Sequence, residues 1–310
     1  NHTVNLLLAI LGFLLLVGSA AAVVVLAQAI LCAREVRNPP RHSVGWALAK
    51  GLATDPGEAG LPFDAWTLER PGGIELPVWE IPERNSSSAS PILVMLHGWG
   101  QSRIEMLALL KMMLQKHHEN GYERSFRTLI PELRGHGEAS PGPTTLGQED
   151  TEDVKALIER AGEGPVILLG FSLGSVTAIN VAASNPDAVN GVLALAPYER
   201  LLTPIAATLR SRQMPHGLTA KLVTRFSTTS QNLRRSTAQT ARALTCPLRV
   251  FVGAHDRIAP PEAGRVIAAS APHGTVQLTE DIGHVGLPEA SAGRLADDLH
   301  ALLHNTPPNA

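Results

Sequence analysis

Val166-Ile167-Leu168-Leu169-Gly170-Phe171-Ser172-Leu173-Gly174-Ser175 carries no charge and leads into an Ala-rich segment that ends near Ala183. A short apolar run of this kind predicts a strand buried on both faces, over Pro165–Phe171, with a helix following over Leu173–Ala183. The pentapeptide Gly170-Phe171-Ser172-Leu173-Gly174 therefore falls at a strand-to-helix turn. Such a turn holds a serine on a strained backbone, and glycine on either flank lets strand and helix approach closely. Gly-x-Ser-x-Gly arises by accident about one time in ten in a chain this long. Its setting carries the reading, and makes Ser172 the candidate nucleophile.

The same alternation extends to both sides. Phe63–Arg70 and Ile74–Ile81 read as an antiparallel edge hairpin joined at Pro71-Gly72-Gly73. Pro91–Leu96, Arg127–Ile130, Val189–Leu195, Leu248–Gly253 and Thr275–Leu278 read as further strands. Helical periodicity covers Arg103–His118, Glu149–Ala161, Pro261–Ala269 and Leu287–Leu303, and the polar Asn85-Ser86-Ser87-Ser88 is a loop. Strands alternating with helices give an α/β fold: a mostly parallel sheet with helices on both faces. Residues 199–245 are too long for one crossover helix and read as a helical cap. They carry Arg200, Arg210, Arg212, Lys221, Arg225, Arg234, Arg235 and Arg242 against Glu199. Either these are solvated helix faces, or the cap favours an anionic substrate or an anionic membrane surface.

Before the hairpin, Leu6–Leu31 is apolar apart from Gln28 and small residues. As a helix it would be about 39 Å long, enough to cross a bilayer core of about 30 Å with tilt. Ala27-Gln28-Ala29 has the form a signal peptidase accepts, but the run is long for a signal peptide and no Lys or Arg precedes it. A lipid anchor at Cys32 would want a small residue where Leu31 stands. A retained transmembrane helix fits best. Arg34, Arg37, Arg41 and Lys50 follow it, which by the positive-inside rule puts the C-terminal part on the cytoplasmic side. The chain then divides into an anchor (1–32), a Pro/Gly-punctuated linker (33–61) with a short helix around Val44–Lys50, and a main domain (62–305).

The formal net charge of −2 offers no basic stripe for nucleic acid. Cys32 and Cys246 form neither a disulfide framework nor a metal-ligand spacing. A serine hydroxyl needs a base. His284, in Asp281-Ile282-Gly283-His284-Val285-Gly286, follows the last strand and precedes the final helix. His273 precedes that strand, His300 and His304 belong to the final helix, His97 and His136 to other loops, and His255 adjoins the candidate acid. That acid is Asp256, after Leu248–Gly253; Asp281 and Glu280 are alternatives whose closeness to His284 suits a salt-bridging or solvated role. The order Ser172, Asp256, His284 differs from that of trypsin-like and subtilisin-like enzymes. Oxyanion donors are expected at the amides of Leu173 and, in His97-Gly98-Trp99-Gly100, of Trp99, whose side chain would line the acyl pocket or sit in the core.

Together these motifs resemble the α/β-hydrolase superfamily over roughly residues 62–305, in its serine-hydrolase form. They are the His97-Gly98 loop, Glu132-Leu133-Arg134-Gly135-His136-Gly137, the Ser172 turn, Gly253–Pro260 and Gly283-His284. Thr145-Leu146-Gly147 with Asp153-Val154 is similar to bacterial membrane-anchored or secreted esterases and dipeptidyl-peptidase-like members. Glu132 departs from the Asp of many members, at a structural position. A serine nucleophile speaks against dehalogenase or dienelactone-hydrolase chemistry. The resemblance implies hydrolysis of an ester, thioester or amide through an acyl-enzyme, with no metal or organic cofactor. A small ester is favoured because an alcohol leaving group demands least of the general acid, and the anchor and cap point to lipid-like or acyl substrates. A thioesterase, acyltransferase or peptidase ranks below it, and a membrane-tethered binding protein that has lost the chemistry is the non-enzyme alternative.

Overall fold

The computed structural model describes residues 2–83 and 90–305; the loop expected at Asn85–Ser88 lies outside them. The chain begins with helix α1 (His2–Arg37) and the short α2 (Val44–Lys50), followed by the hairpin β1 (Asp64–Arg70) and β2 (Ile74–Ile81). Then come β3 (Ile92–Leu96), α3 (Arg103–Glu119), β4 (Arg127–Pro131), α4 (Asp150–Ala161), β5 (Val166–Phe171), α5 (Leu173–Ser184) and β6 (Gly191–Leu195). Helices α6 (Leu202–Ser211), α7 (Leu218–Ser227), α8 (Ser230–Arg234) and α9 (Thr237–Ala241) separate β6 from β7 (Leu248–Gly253). The chain closes with α10 (Pro261–Ser270), β8 (Gly274–Thr279) and α11 (Leu287–Asn305).

The eight strands form one sheet in the order β1-β2-β4-β3-β5-β6-β7-β8. β1 and β2 are antiparallel, β2 is antiparallel to β4, and every later pairing is parallel. Successive strand residues point to opposite faces, and here both faces are covered. In β3, Leu93 and Met95 enter one core layer while Ile92, Val94 and Leu96 enter the other. β5 does the same with Ile167, Leu169 and Phe171 against Val166 and Leu168. That is why both strands read as unbroken apolar runs. β3 also has β4 on one side and β5 on the other, so the strand order reverses there. The loops after β3 and β5 consequently open side by side at the carboxyl edge of the sheet, the usual place for a ligand in such folds.

α1 has two parts. Residues 2–24 are exposed all round, whereas Ala29, Cys32 and Ala33 are buried and Val25, Gln28 and Val36 half-buried. These six fall on one helical face, and that face packs against α7. The helix runs on past Cys32, because nothing in Ala33–Arg37 breaks it before Asn38-Pro39-Pro40 stops it. Within residues 199–245 the helices also part company. α6 and α7 pack together beside the end of α1, while α9 returns to the opposite layer between α5 and α10.

Candidate active site

Ser172 occupies the turn between β5 and α5 with φ 52° and ψ −108°, a backbone that L-residues rarely adopt. The surroundings force it. A Cβ on Gly170 would lie 2.3 Å from the Gly174 carbonyl carbon, and one on Gly174 would lie 2.1 Å from the Leu96 carbonyl oxygen. Neither position accepts a side chain. The Ser172 amide donates to the Leu195 carbonyl (2.8 Å), and the Ser175 hydroxyl lies 2.6 Å from both the Gly170 and the Leu195 carbonyls. Ser175 is a fastener that the sequence reading missed; its position three residues after Ser172 was the available signal.

The Ser172 hydroxyl oxygen lies 3.2 Å from His284 Nε2, and His284 Nδ1 lies 2.7 Å from Asp256 Oδ2. Asp256 is buried, and its other oxygen, Oδ1, accepts the amides of Ile258 and Ala259, both at 2.8 Å. Two carboxylate oxygens are thus used on three donors, which fixes the acid and leaves the imidazole Nδ1 as the proton donor to it. The Phe171 ring packs 4.9 Å from the His284 ring, centroid to centroid. The chain from Asp256 through His284 to Ser172 is therefore continuous. The other candidates are elsewhere: Glu280, Asp281, His255 and His273 are exposed, and His300 stacks on Tyr122 at 3.8 Å.

His97 and His136 lie buried side by side, ring centroids 5.0 Å apart, beneath the loop after β3. His97 Nε2 is 3.1 Å from the Leu133 amide and 3.4 Å from Glu132 Oε2, and its Nδ1 faces the Gly98 carbonyl. An amide N–H can only donate, so the geometry satisfies a neutral His97 protonated on Nδ1. Burial opposes charge on His97, but the Glu132 carboxylate beside it outweighs burial and holds its pKa above the ordinary value. His136 has no such carboxylate; burial and the neighbouring His97 push it down to about 3.

Trp99 is 39% exposed, and its indole Nε1 donates to the Val36 carbonyl of α1 (2.8 Å). The Leu173 amide stands at the first position of α5, where an amide has no acceptor within its own helix. Ser172, His284, Trp99 and Leu173 all border one cavity of about 260 Å³. Its remaining wall is largely apolar: Leu146, Tyr198, Leu201, Ile205, Leu209 and Val223 from the domain and cap, with Cys32, Glu35 and Val36 from α1. The α1 residues escaped the sequence reading, because a small-residue face inside an apolar run looks the same as more of the run. A larger and more polar depression between Arg37, Arg134, Thr144 and Phe226 touches none of Ser172, Asp256 or His284. Of the eight basic residues expected in the cap, Arg212 alone reaches the cavity, where it pairs with Glu35 at 2.6 Å.

Comparison with known proteins agrees with this architecture. The esterase Pf2001 of Pyrococcus furiosus superposes with a TM-score of 0.64 at 19% identity, over 86% of this chain and 100% of that one. The sn-1-specific diacylglycerol lipase ABHD11 of Mus musculus is 30% identical over 99 residues, 32% of this chain and 30% of the lipase. The pimeloyl-[acyl-carrier protein] methyl ester esterase of Xylella fastidiosa is 29% identical over 150 residues, 48% of this chain and 49% of the esterase. The chain thus spans half or less of the length of these curated relatives. The profile of the alpha/beta hydrolase family matches residues 93–298, from β3 into α11, which is more than half of the chain. By that match, the chain belongs to the alpha/beta hydrolase family.

Proposed function

We propose that the protein is a membrane-anchored serine hydrolase that cleaves carboxylic esters. The observation that carries this is the hydrogen-bonded line Asp256–His284–Ser172 at the edge of an apolar cavity. In the first step the Ser172 hydroxyl oxygen adds to the ester carbonyl while His284 Nε2 takes its proton and Asp256 holds the imidazolium. The amides of Leu173 and Trp99 donate to the oxyanion. Collapse of the adduct expels the alcohol, which leaves with the proton from His284. Water, deprotonated by the same nitrogen, then attacks the acyl-serine and releases the acid. An ester is favoured over an amide because an alkoxide needs less help from the general acid. Relatives named as a lipase and a methyl ester esterase support that choice. Anchoring rests on α1, whose apolar part is long enough to cross a membrane, and the basic residues after it favour a cytoplasmic domain.

The test is a fluorophosphonate probe applied to the full chain in detergent. Wild type should label and Ser172→Ala should not, and p-nitrophenyl esters should be turned over by wild type alone. A folded wild-type protein that neither labels nor hydrolyses any ester in the panel rules the reading out.

A further inference from the structure

Three groups of the cavity wall reach the outside: Glu35, Arg212 and Trp99. All three are tied to α1. Glu35 is part of it, Arg212 pairs with Glu35, and Trp99 donates to the Val36 carbonyl. The mouth of the cavity is therefore framed by the end of the apolar helix. Glu35 stands eleven residues past Val24, where the exposed part of α1 ends, about 16 Å of helix rise. Residues 2–24, all exposed, give about 35 Å of helix, close to the thickness of a bilayer core. A helix spanning the membrane with that segment holds the mouth about 10 Å beyond the headgroup layer, on the membrane-facing side of the domain. An ester drawn from that bilayer then has a short path along α1 to Ser172.

We propose, on the basis of the ester-hydrolase reading above, that the last turns of α1 are a wall of the acyl pocket, and that the substrates are single-chain acyl esters taken from the bilayer that α1 spans. Cys32 and Val36 set how long a chain fits, since both border the cavity on α1. The cavity of about 260 Å³ is at the small end for ligand sites, which suits one chain and not two. The narrow site and the helix beside its mouth select the same substrate class.

Two measurements on the full chain in phosphatidylcholine vesicles test this. The first is the ratio of kcat/KM for p-nitrophenyl octanoate to that for the acetate. Val36→Trp should lower the ratio at least tenfold and Val36→Ala should raise it, whereas Leu15→Trp, in the exposed part of α1, should leave it at the wild-type value. The second compares a long-chain monoacyl ester placed in the same vesicles as the protein with the same ester in separate vesicles mixed in. Hydrolysis should be at least tenfold faster in the shared vesicles. Ratios unchanged in both Val36 variants, or equal rates in shared and separate vesicles, overturn the proposal. An enzyme that hydrolyses no ester in any format refutes the hydrolase reading instead, so the two failures are told apart.

Discussion

Asp256 satisfies three donors with two oxygens, and that economy defines what each atom of the site contributes. Asp256→Asn keeps the shape but presents an amide N–H or a weaker acceptor to His284, favouring the wrong tautomer. We expect ester kcat to fall about a thousand- to ten-thousandfold, with the melting temperature nearly unchanged; a calorimetric scan beside the kinetics checks both. Gly174→Ala should fail differently. Its methyl has no room against the Leu96 carbonyl, so stability should drop by about 3 kcal/mol or more and Ser172 labelling should slow as the turn shifts. His136 gives a pH signature. The unfolded chain takes up that proton near pH 6.5, but the folded protein refuses it until about pH 3. Its contribution to stability is complete above 6.5 and is lost as the pH falls towards 3. Urea unfolding at pH 7.5 and pH 4.5 should show a loss about 2–3 kcal/mol larger in wild type than in His136→Asn.

Among the elements, β3 and β5 were legible because burial on both faces leaves only apolar residues, and length then separates strand from helix. Ser172, Asp256 and His284 could be proposed because each lies just after a strand, in a turn or loop that carries a glycine. The segment between β6 and β7 was legible only as helical. Ala238 and Ala241 of α9 fill the opposite core layer, and alanines do not announce which layer they belong to. α1 posed the same difficulty: one apolar run is exposed in its first part and docked in its last, and Ala29, Cys32 and Ala33 differ from their neighbours only in size. Size is the relevant variable where helices touch, since small residues let α1 lie close to α7. Ala33→Trp should therefore overpack the contact, costing about 1–3 kcal/mol. Limited proteolysis should show earlier cutting between α6 and α7 in this variant than in Arg212→Ala, which removes only a half-exposed ion pair worth about 1 kcal/mol or less.

Taken as a whole, the molecule joins a rigid α/β core to a roof made from two sources, the insertion between β6 and β7 and the end of α1. The carboxyl edge of the sheet fixes Ser172, Asp256 and His284 to one another, and the roof determines what reaches them. Fold and the proposed nucleophile were therefore readable early, being local in sequence, while the wall of the cavity was not, being assembled from residues as distant as Cys32 and Val223. The docked end of α1 also bears on protein production. A water-soluble version begun at residue 33 would remove Ala29 and Cys32, bare the α7 face they cover, and give a protein prone to aggregate with an ill-defined chain-length preference. One begun at Val25 would discard the exposed apolar segment, keep the whole docked face, and be the form suited to crystallisation and to inhibitor screening.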